Sequence, residues 1–313
     1  MEATATNPGP SHSPATLSLW EHLSFSGAHK LCGVLLLIFR LRGLFHLARA
    51  FGTLEWLINF KRRKRFHRAL ARVLGTLPPV AERMRLTRDF FMQSRCDKVF
   101  YLIVVRLDRH QAASLLSVPR LDLIDEALSR GNGVYVAMSH HGPHHVLAIL
   151  MALKGYRIVT VRDRNESGLR RYMHDRFDRR YPDIAKLRVL FSDSYPRDIY
   201  RCFGEGYLVG SAMDVRRPRQ QHQKTEPLTM FGEEQVFLSG PFRVALRCGA
   251  SVLQGFVVPE RNFRYRLDIV ETLADSARAS STNEKELVAA ALQKYAKNVE
   301  SAVRATLCLM TRV

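Results

Sequence analysis

The sequence predicts an α/β domain built on a mixed, mainly parallel sheet that is flanked by helices and preceded by a membrane-associating helix. Short apolar runs rich in Val, Ile and Leu recur from residue 133 onwards, and helical patterns separate most of them. Alternation of this kind is typical of βαβ units, whose strands lie parallel. A length of 313 residues, of which 46% are hydrophobic and 25% charged, is enough for one substantial core.

The N-terminal region divides into two predicted segments. Residues 1–16 are rich in Ser, Thr, Pro and Ala, show no periodicity and are expected to form a disordered tail. They lack the positive start and apolar centre of a signal peptide. Residues 17–65 are first hydrophobic and then basic, which predicts association with a membrane.

The mode of membrane contact stays open at this point. Residues 31–39 are strongly apolar but too short to span a bilayer alone, and Arg42, His46 and Arg49 then share one helical face. A basic amphipathic helix of this kind lies in the headgroup plane, with the basic run 61–65 against anionic lipid. The alternatives are a helix docked on the protein's own core and a tilted span whose arginines snorkel.

Charge and cysteine content restrict the partners and the compartment. The formal net charge of +19 predicts an anionic partner, which is membrane phospholipid, an acidic carrier protein or nucleic acid, and charge alone does not choose among them. The five cysteines are scattered without close pairs. They indicate a reducing compartment and buried thiols, not a disulfide framework or a metal knuckle.

Residues 66–313 are predicted to form the α/β domain. It opens with helices over residues 66–118, which Pro78 and Pro79 divide. A basic stretch at 216–224 is expected to be a loop at the mouth of the crevice. The other predicted elements are strand 133–139, helix 144–153, strand 156–162, helix 169–180, strand 187–191, helix 197–203, strands 206–214, 251–258 and 264–270, and helix 283–310.

The turn between the first of these strands and the next helix carries the most reactive set of side chains. Residues 139–142, Ser-His-His-Gly, lie at a strand end, where an open α/β sheet meets its ligand crevice. The positive end of the following helix dipole disfavours an imidazolium. A neutral His140 is therefore the predicted general base.

Histidine spacing raises a metal site as an alternative. Two pairs of histidines, at 140/144 and 141/145, have the i, i+4 spacing of a zinc-binding pair. A Gly-Pro dipeptide lies inside both pairs, and no cysteine pair or nearby acid supplies a third ligand. No metal is therefore expected, and a histidine-metal hydrolase remains only an alternative function.

The block from His140 to His145 resembles a known family. It is similar to the first motif of the late acyltransferases of lipid A biosynthesis, within the wider lysophospholipid acyltransferase superfamily. In that motif a strand leads to His, then four residues, then Asp or Glu. His140 and Gly142 match the motif, and His145 stands at the acidic position. The order of the later blocks extends the resemblance over about residues 20–300.

The resemblance implies a substitute for the changed acid. Asp214 ends a predicted strand and matches the family's strand that runs into an aspartate. It would fix the tautomer of His140 and stabilise the imidazolium, as a triad acid does, with His145 as the less favoured substitute. On the residues alone, pairing of Asp214 with Arg216 or Arg217 is an equal alternative.

Two further blocks are similar to the family's substrate-binding positions. Arg162 ends the second predicted strand and Arg164 follows it, and a guanidinium suits a phosphate or sugar-phosphate substrate. Ser239 and Gly240 open a later helix, whose N–H groups would hold a phosphate or a thioester oxygen. Simple capping by Ser239 is the alternative.

The resemblance implies acyl transfer from an acyl thioester, on acyl carrier protein or coenzyme A, to a hydroxyl or amine of a membrane lipid or glycolipid. His140 takes the acceptor's proton, and N–H groups around Gly142 or Gly240 hold the oxyanion. The thioester is a co-substrate, so no resident cofactor is expected. The sequence contains no Gly-x-Ser-x-Gly nucleophile elbow, so no covalent enzyme intermediate is expected. The expected location is the cytoplasmic face of the bacterial inner membrane, as a peripheral or single-pass protein.

A non-enzymatic reading competes with this one. A membrane-surface or nucleic-acid-binding protein that kept the scaffold and lost the chemistry would also explain His145 and the +19 charge. Nucleic acid is not the expected partner. Retained binding without turnover would distinguish this reading from an enzyme.

Overall fold

The computed structural model describes residues 17–162, 168–182, 187–191, 196–214, 224–275 and 284–310. Over these residues the predicted α/β class is confirmed, with a mostly parallel sheet of seven strands that is packed on both faces. The helices are α1 (Leu19–Ile58), α2 (Phe60–Leu74), α3 (Val80–Ile103), α4 (Arg109–Ser114), α5 (Leu121–Ser129), α6 (His144–Leu153), α7 (Gly168–Arg180), α8 (Pro196–Gly204), α9 (Gly240–Arg247) and α10 (Glu284–Ala305). The strands are β1 (Leu116–Ser117), β2 (Val134–Met138), β3 (Ile158–Arg162), β4 (Leu187–Phe191), β5 (Leu208–Ala212), β6 (Thr225–Met230), β7 (Glu233–Leu238), β8 (Ser251–Pro259) and β9 (Tyr265–Ala274). Short 3-10 helices lie at Val104–Arg106, Arg261–Phe263 and Leu307–Leu309.

The seven strands lie in the order β1-β9-β8-β2-β5-β3-β4, with β2 at the centre. Neighbouring strands are parallel except β8 and β9, which run antiparallel. Strands β6 and β7 form a separate antiparallel hairpin. Because β2 and β5 are parallel neighbours, the segments that follow them leave the sheet at the same edge.

The central strand β2 shows how the two cores are divided. Val134, Val136 and Met138 pack into the core on one face of the sheet, while Tyr135 and Ala137 pack into the core on the other. A strand buried on both faces needs apolar residues at every position, which explains the uninterrupted run from 134 to 138.

The long N-terminal helix α1 begins with a capping box, in which Ser18 and Glu21 exchange side-chain and backbone hydrogen bonds. Arg40 has a left-handed φ of 53°, so α1 consists of two helical halves that meet there. Among the described residues, α1 is the helix that is long and apolar enough to cross a membrane. Helix α3 packs along it, as the buried residues of both helices show.

Most predicted elements are confirmed and a few differ. Helix α6 occupies the predicted residues, and β3 begins two residues later than predicted, at Ile158. The β6–β7 hairpin, the short β1 and helix α5 were not predicted. The predicted tail at 1–16 and the predicted loop, apart from Lys224, lie outside the described residues.

Candidate active site

The ends of β2 and β5 bring His140 and Asp214 together. Met138 is paired with Ala212 in the sheet, so each side chain stands two residues beyond a paired position. The Nδ1 atom of His140 lies 2.8 Å from Oδ1 of Asp214. The backbone N–H of His140 also donates to both oxygens of the carboxylate, at 2.9 and 2.8 Å.

This contact determines the tautomer of His140. An ionised carboxylate can only accept hydrogen bonds, so Nδ1 carries the proton and the lone pair lies on Nε2. The two side chains are only 14% and 9% exposed, which strengthens their electrostatic interaction. The arrangement gives His140 the form that a general base needs.

Tyr295 of α10 contacts the end of β2, where the segments that carry His140 and Asp214 meet. Its hydroxyl donates to the carbonyl of Met138 at 2.7 Å, and the N–H of Met213 donates to the same carbonyl at 3.0 Å. Burial raises the pKa of Tyr295 well above its usual value, and the nearby charge of Asp214 adds to this. The hydroxyl therefore stays protonated and holds both segments. No local sequence pattern marked this residue.

Gly142 closes the turn after His140. Its φ of +73° is left-handed, and an added Cβ would lie 2.4 Å from the carbonyl oxygen of Val257. Its N–H donates to the carbonyl of Leu309 at 3.1 Å. Of the predicted N–H donors around Gly142, the N–H of Gly142 itself does not fit an oxyanion role, because that donor is taken within the fold.

Replacing Gly142 with alanine is expected to lower the free energy of unfolding by at least about 2 kcal/mol. The substitution combines a left-handed residue with a clash against the backbone of Val257. The matched control is Gly206→Ala, because Gly206 has a φ of +71° and open space around its Cβ position. Urea unfolding would measure both variants. Equal losses in the two would show that the contact with Val257 contributes nothing.

His141 is a structural residue of the same turn. It is buried, and its Nε2 lies 2.7 Å from the hydroxyl of Thr306. That hydroxyl donates to the carbonyl of Ala302, so Nε2 is the donor to it. Burial lowers the pKa of His141 to about 4, which keeps the ring neutral. His141 therefore links the turn after β2 to Thr306, which directly follows α10.

His144 and His145 lie in the first turn of α6. The ring of His144 meets that of His140 edge-to-face, with 4.9 Å between centroids, and burial lowers the pKa of His144 well below its usual value. His145 packs against the rings of Tyr101 and His144 at 5.5 and 5.7 Å. Over the part of the chain that is described, no group of three or more His, Cys, Asp or Glu residues forms a metal site.

The predicted substrate-binding residues fall on the same edge or outside the described residues. Arg162 ends β3, which pairs with β5, so its backbone reaches the edge where Asp214 lies. Arg164 lies outside the described residues, as do Arg216 and Arg217, the other candidate partners of Asp214.

Ser239 and Gly240 stand at the start of α9. Ser239 makes no side-chain cap and is buried, and its hydroxyl accepts from Nε of Arg243 at 3.4 Å. The predicted capping alternative is therefore wrong. Residues 248–250 join α9 to β8, so α9 runs back along the sheet and Gly240 lies towards the carboxyl edge of β8 and β2.

Comparison with known proteins identifies the family of this chain. No curated protein sequence matches the chain. The family model described as bacterial lipid A biosynthesis acyltransferase matches residues 19–306, which is nearly the whole chain. Members of such a family transfer acyl groups in lipid biosynthesis. Because the match covers nearly the whole chain, this chain belongs to the bacterial lipid A biosynthesis acyltransferase family.

Proposed function

We propose that the protein transfers a fatty acyl group from an acyl thioester, on acyl carrier protein or coenzyme A, to a hydroxyl or amine of a membrane lipid or glycolipid. The observation that carries this proposal is the 2.8 Å contact between His140 Nδ1 and the Asp214 carboxylate. It supplies a base and an orienting acid without the acid of the usual motif, whose place His145 takes.

The reaction needs one proton relay. Nε2 of His140 removes the proton from the acceptor as its oxygen or nitrogen attacks the thioester carbonyl carbon. The new ester or amide bond forms, the carbon–sulfur bond breaks, and the imidazolium returns the proton to the leaving sulfur. Asp214 stabilises the transient imidazolium, and no covalent enzyme intermediate is required.

The negative charge that develops on the carbonyl oxygen needs a donor near His140. Gly240 is the first residue of α9. The N–H groups of a helix's first turn have no carbonyl acceptor within the helix, so the N–H of Gly240 is a candidate donor. Arg243 fastens this helix through ion pairs with Glu226 and Glu284, at 2.5 and 3.2 Å. One such donor is typically worth about 3 kcal/mol of transition-state stabilisation.

Positive charge supports both proposed substrates. Arg162 at the edge of the sheet suits a phosphate on a glycolipid acceptor, because a guanidinium binds oxyanions bidentately. The net charge of +19 attracts an acidic carrier protein and steers its approach. The same charge attracts the anionic surface of a membrane, which supports action at the cytoplasmic face of the bacterial inner membrane.

Mass spectrometry tests the proposed transfer. Lipids extracted from cells with and without the protein are expected to differ by the mass of one acyl group, because one transfer adds one acyl chain. Incubation of the purified protein with acyl carrier protein thioester or with acyl coenzyme A then identifies the donor. Unchanged lipids and no turnover, with vesicle binding intact, would favour the alternative, a membrane-surface protein that kept this fold and lost the activity. The observation that favours this alternative is His145 at the acidic position of the motif.

A further inference from the structure

One face of α1 is docked on the protein along both helical halves. The buried residues of this face are His29, Cys32, Gly33, Leu44, Phe45, Ala48 and Gly52. At Gly52 an added Cβ would lie 2.5 Å from Cα of Met92, and at Gly33 one would lie 2.7 Å from Cζ of Arg106. The helix backbone therefore lies directly against α3 and the turn that follows it, so lipid cannot surround α1.

Most of the exposed surface of α1 is apolar, and the charged residues exposed on it are Glu21, Lys30, Arg40 and Arg42. Its large exposed side chains include Leu37, at 84% exposure, and Ile58, at 76%. Soluble proteins rarely leave a contiguous apolar surface of this length uncovered. The other exposed apolar residues of α1 are Leu19, Trp20, Leu23, Leu31, Val34, Ile38, Phe39, Phe51, Leu54 and Leu57.

Charges at the bend are incompatible with a span centred on α1. Arg40 is exposed, has its left-handed φ near the middle of the helix, and is followed by the exposed Arg42. A straight span centred on α1 would place both guanidinium groups near the bilayer centre, where charge is costly. A shorter span over the first half alone would place the exposed Lys30 near its midpoint, and it would have to pull the buried His29 and Cys32 out of their packing against the protein. At a bend in the interface they reach the headgroups instead.

The next helix adds cations on the same chain segment. Lys61, Lys64, Arg65 and Arg68 of α2 are exposed. Arg62 is held within the protein, because it donates to Glu55 at 2.9 Å. The four exposed cations fit anionic phospholipid headgroups.

We propose that α1 is a bent anchor that lies in the plane of one leaflet and does not cross the bilayer. Both halves insert their exposed apolar face to the boundary between headgroups and acyl chains, and α2 lies on the anionic headgroups of that leaflet. The occupant of the apolar face is therefore the surface of an anionic phospholipid bilayer. The inference rests on the proposed function only in that a membrane lipid acceptor requires the enzyme to reach a membrane.

A protease-protection experiment tests the topology. The full chain carries one epitope tag before Met1 and another after Val313, and it is reconstituted into sealed vesicles of phosphatidylglycerol and phosphatidylcholine. An in-plane anchor leaves both tags on one side, so external protease removes both tags from a molecule or neither. A spanning helix leaves the tags on opposite sides, and molecules that lose only one tag would overturn the proposal.

A pair of surface variants tests the apolar face. Leu37→Glu with Ile38→Glu is expected to weaken binding to the same vesicles by at least about tenfold, because it places two carboxylates on the inserted face. The control, Val236→Glu with Val270→Glu, changes exposed valines of β7 and β9 and is expected to bind normally. Equal binding of both variants would overturn the proposal, and circular dichroism would verify that each is folded. These vesicles contain no acyl donor, so failure here leaves the proposed transfer untouched.

Discussion

Replacing His140 with alanine is expected to lower kcat for acyl transfer by about 100-fold to 10,000-fold, which is the usual contribution of a general base. The variant removes the nitrogen that takes the acceptor's proton. Asp214 loses the Nδ1 donor but keeps the backbone N–H of residue 140. The fold is expected to persist, since His140 lies outside β2, whose own residues are all buried. The measurement is turnover of the purified protein with the acyl donor that the incubation identifies.

The chain offers a matched control for this variant. His174 of α7 also faces an aspartate, with Nδ1 at 3.2 Å from Oδ2 of Asp178, on an exposed helical turn. His174→Ala removes the same chemical group from a pair outside the proposed site, so kcat is expected to stay within about twofold of the unchanged protein. If the two variants lost activity equally, His140 would have no special role and the base would have to be sought elsewhere.

The parts of the fold that follow from local pattern were predictable. Strand β2 is recognisable because burial on both faces demands an unbroken apolar run. Helix α6 is recognisable because Pro143 precedes it, an apolar stretch fills it and Gly155 follows it. His140 could be selected as a candidate because it lies in the turn between them, and side chains at a strand end of an open sheet lie beside the ligand crevice.

The partner of His140 could be proposed but not decided from the sequence. Asp214 is 74 residues away, and β3 and β4 come between β2 and β5 along the chain. Strand order in the sheet depends on tertiary packing, which no local pattern reports. Tyr295 was missed for the same reason, because its contact with Met138 spans 157 residues.

The β6–β7 hairpin was missed for a different reason. Pro227 lies within β6, and a proline removes a ladder donor and argues against a strand. Glu226, Glu233 and Glu234 add polarity to both strands, so the alternating pattern is weak. As a separate two-stranded unit the hairpin tolerates residues that the central sheet would exclude.

Asp214→Asn is the second change with a large expected effect, a loss in kcat of about 100-fold to 10,000-fold. The carboxylate accepts from Nδ1 and from the backbone N–H of His140. An amide keeps only one oxygen. If the amide nitrogen faces Nδ1, it donates to the ring, moves the proton to Nε2 and blocks the base. If the amide nitrogen faces the backbone instead, it opposes the N–H of His140, and two hydrogen-bond donors then face each other and displace the turn.

A double variant distinguishes orientation from direct chemistry. Asp214 is argued to act through His140, so Asp214→Asn combined with His140→Ala is expected to be no slower than His140→Ala alone. Independent contributions would instead multiply, and the double variant would lose activity beyond either single change. Asp178→Asn is the control for the loss of a histidine-bound carboxylate outside the site. A normal kcat for Asp214→Asn would contradict the orienting role, because the imidazole would then hold its working tautomer without the acid.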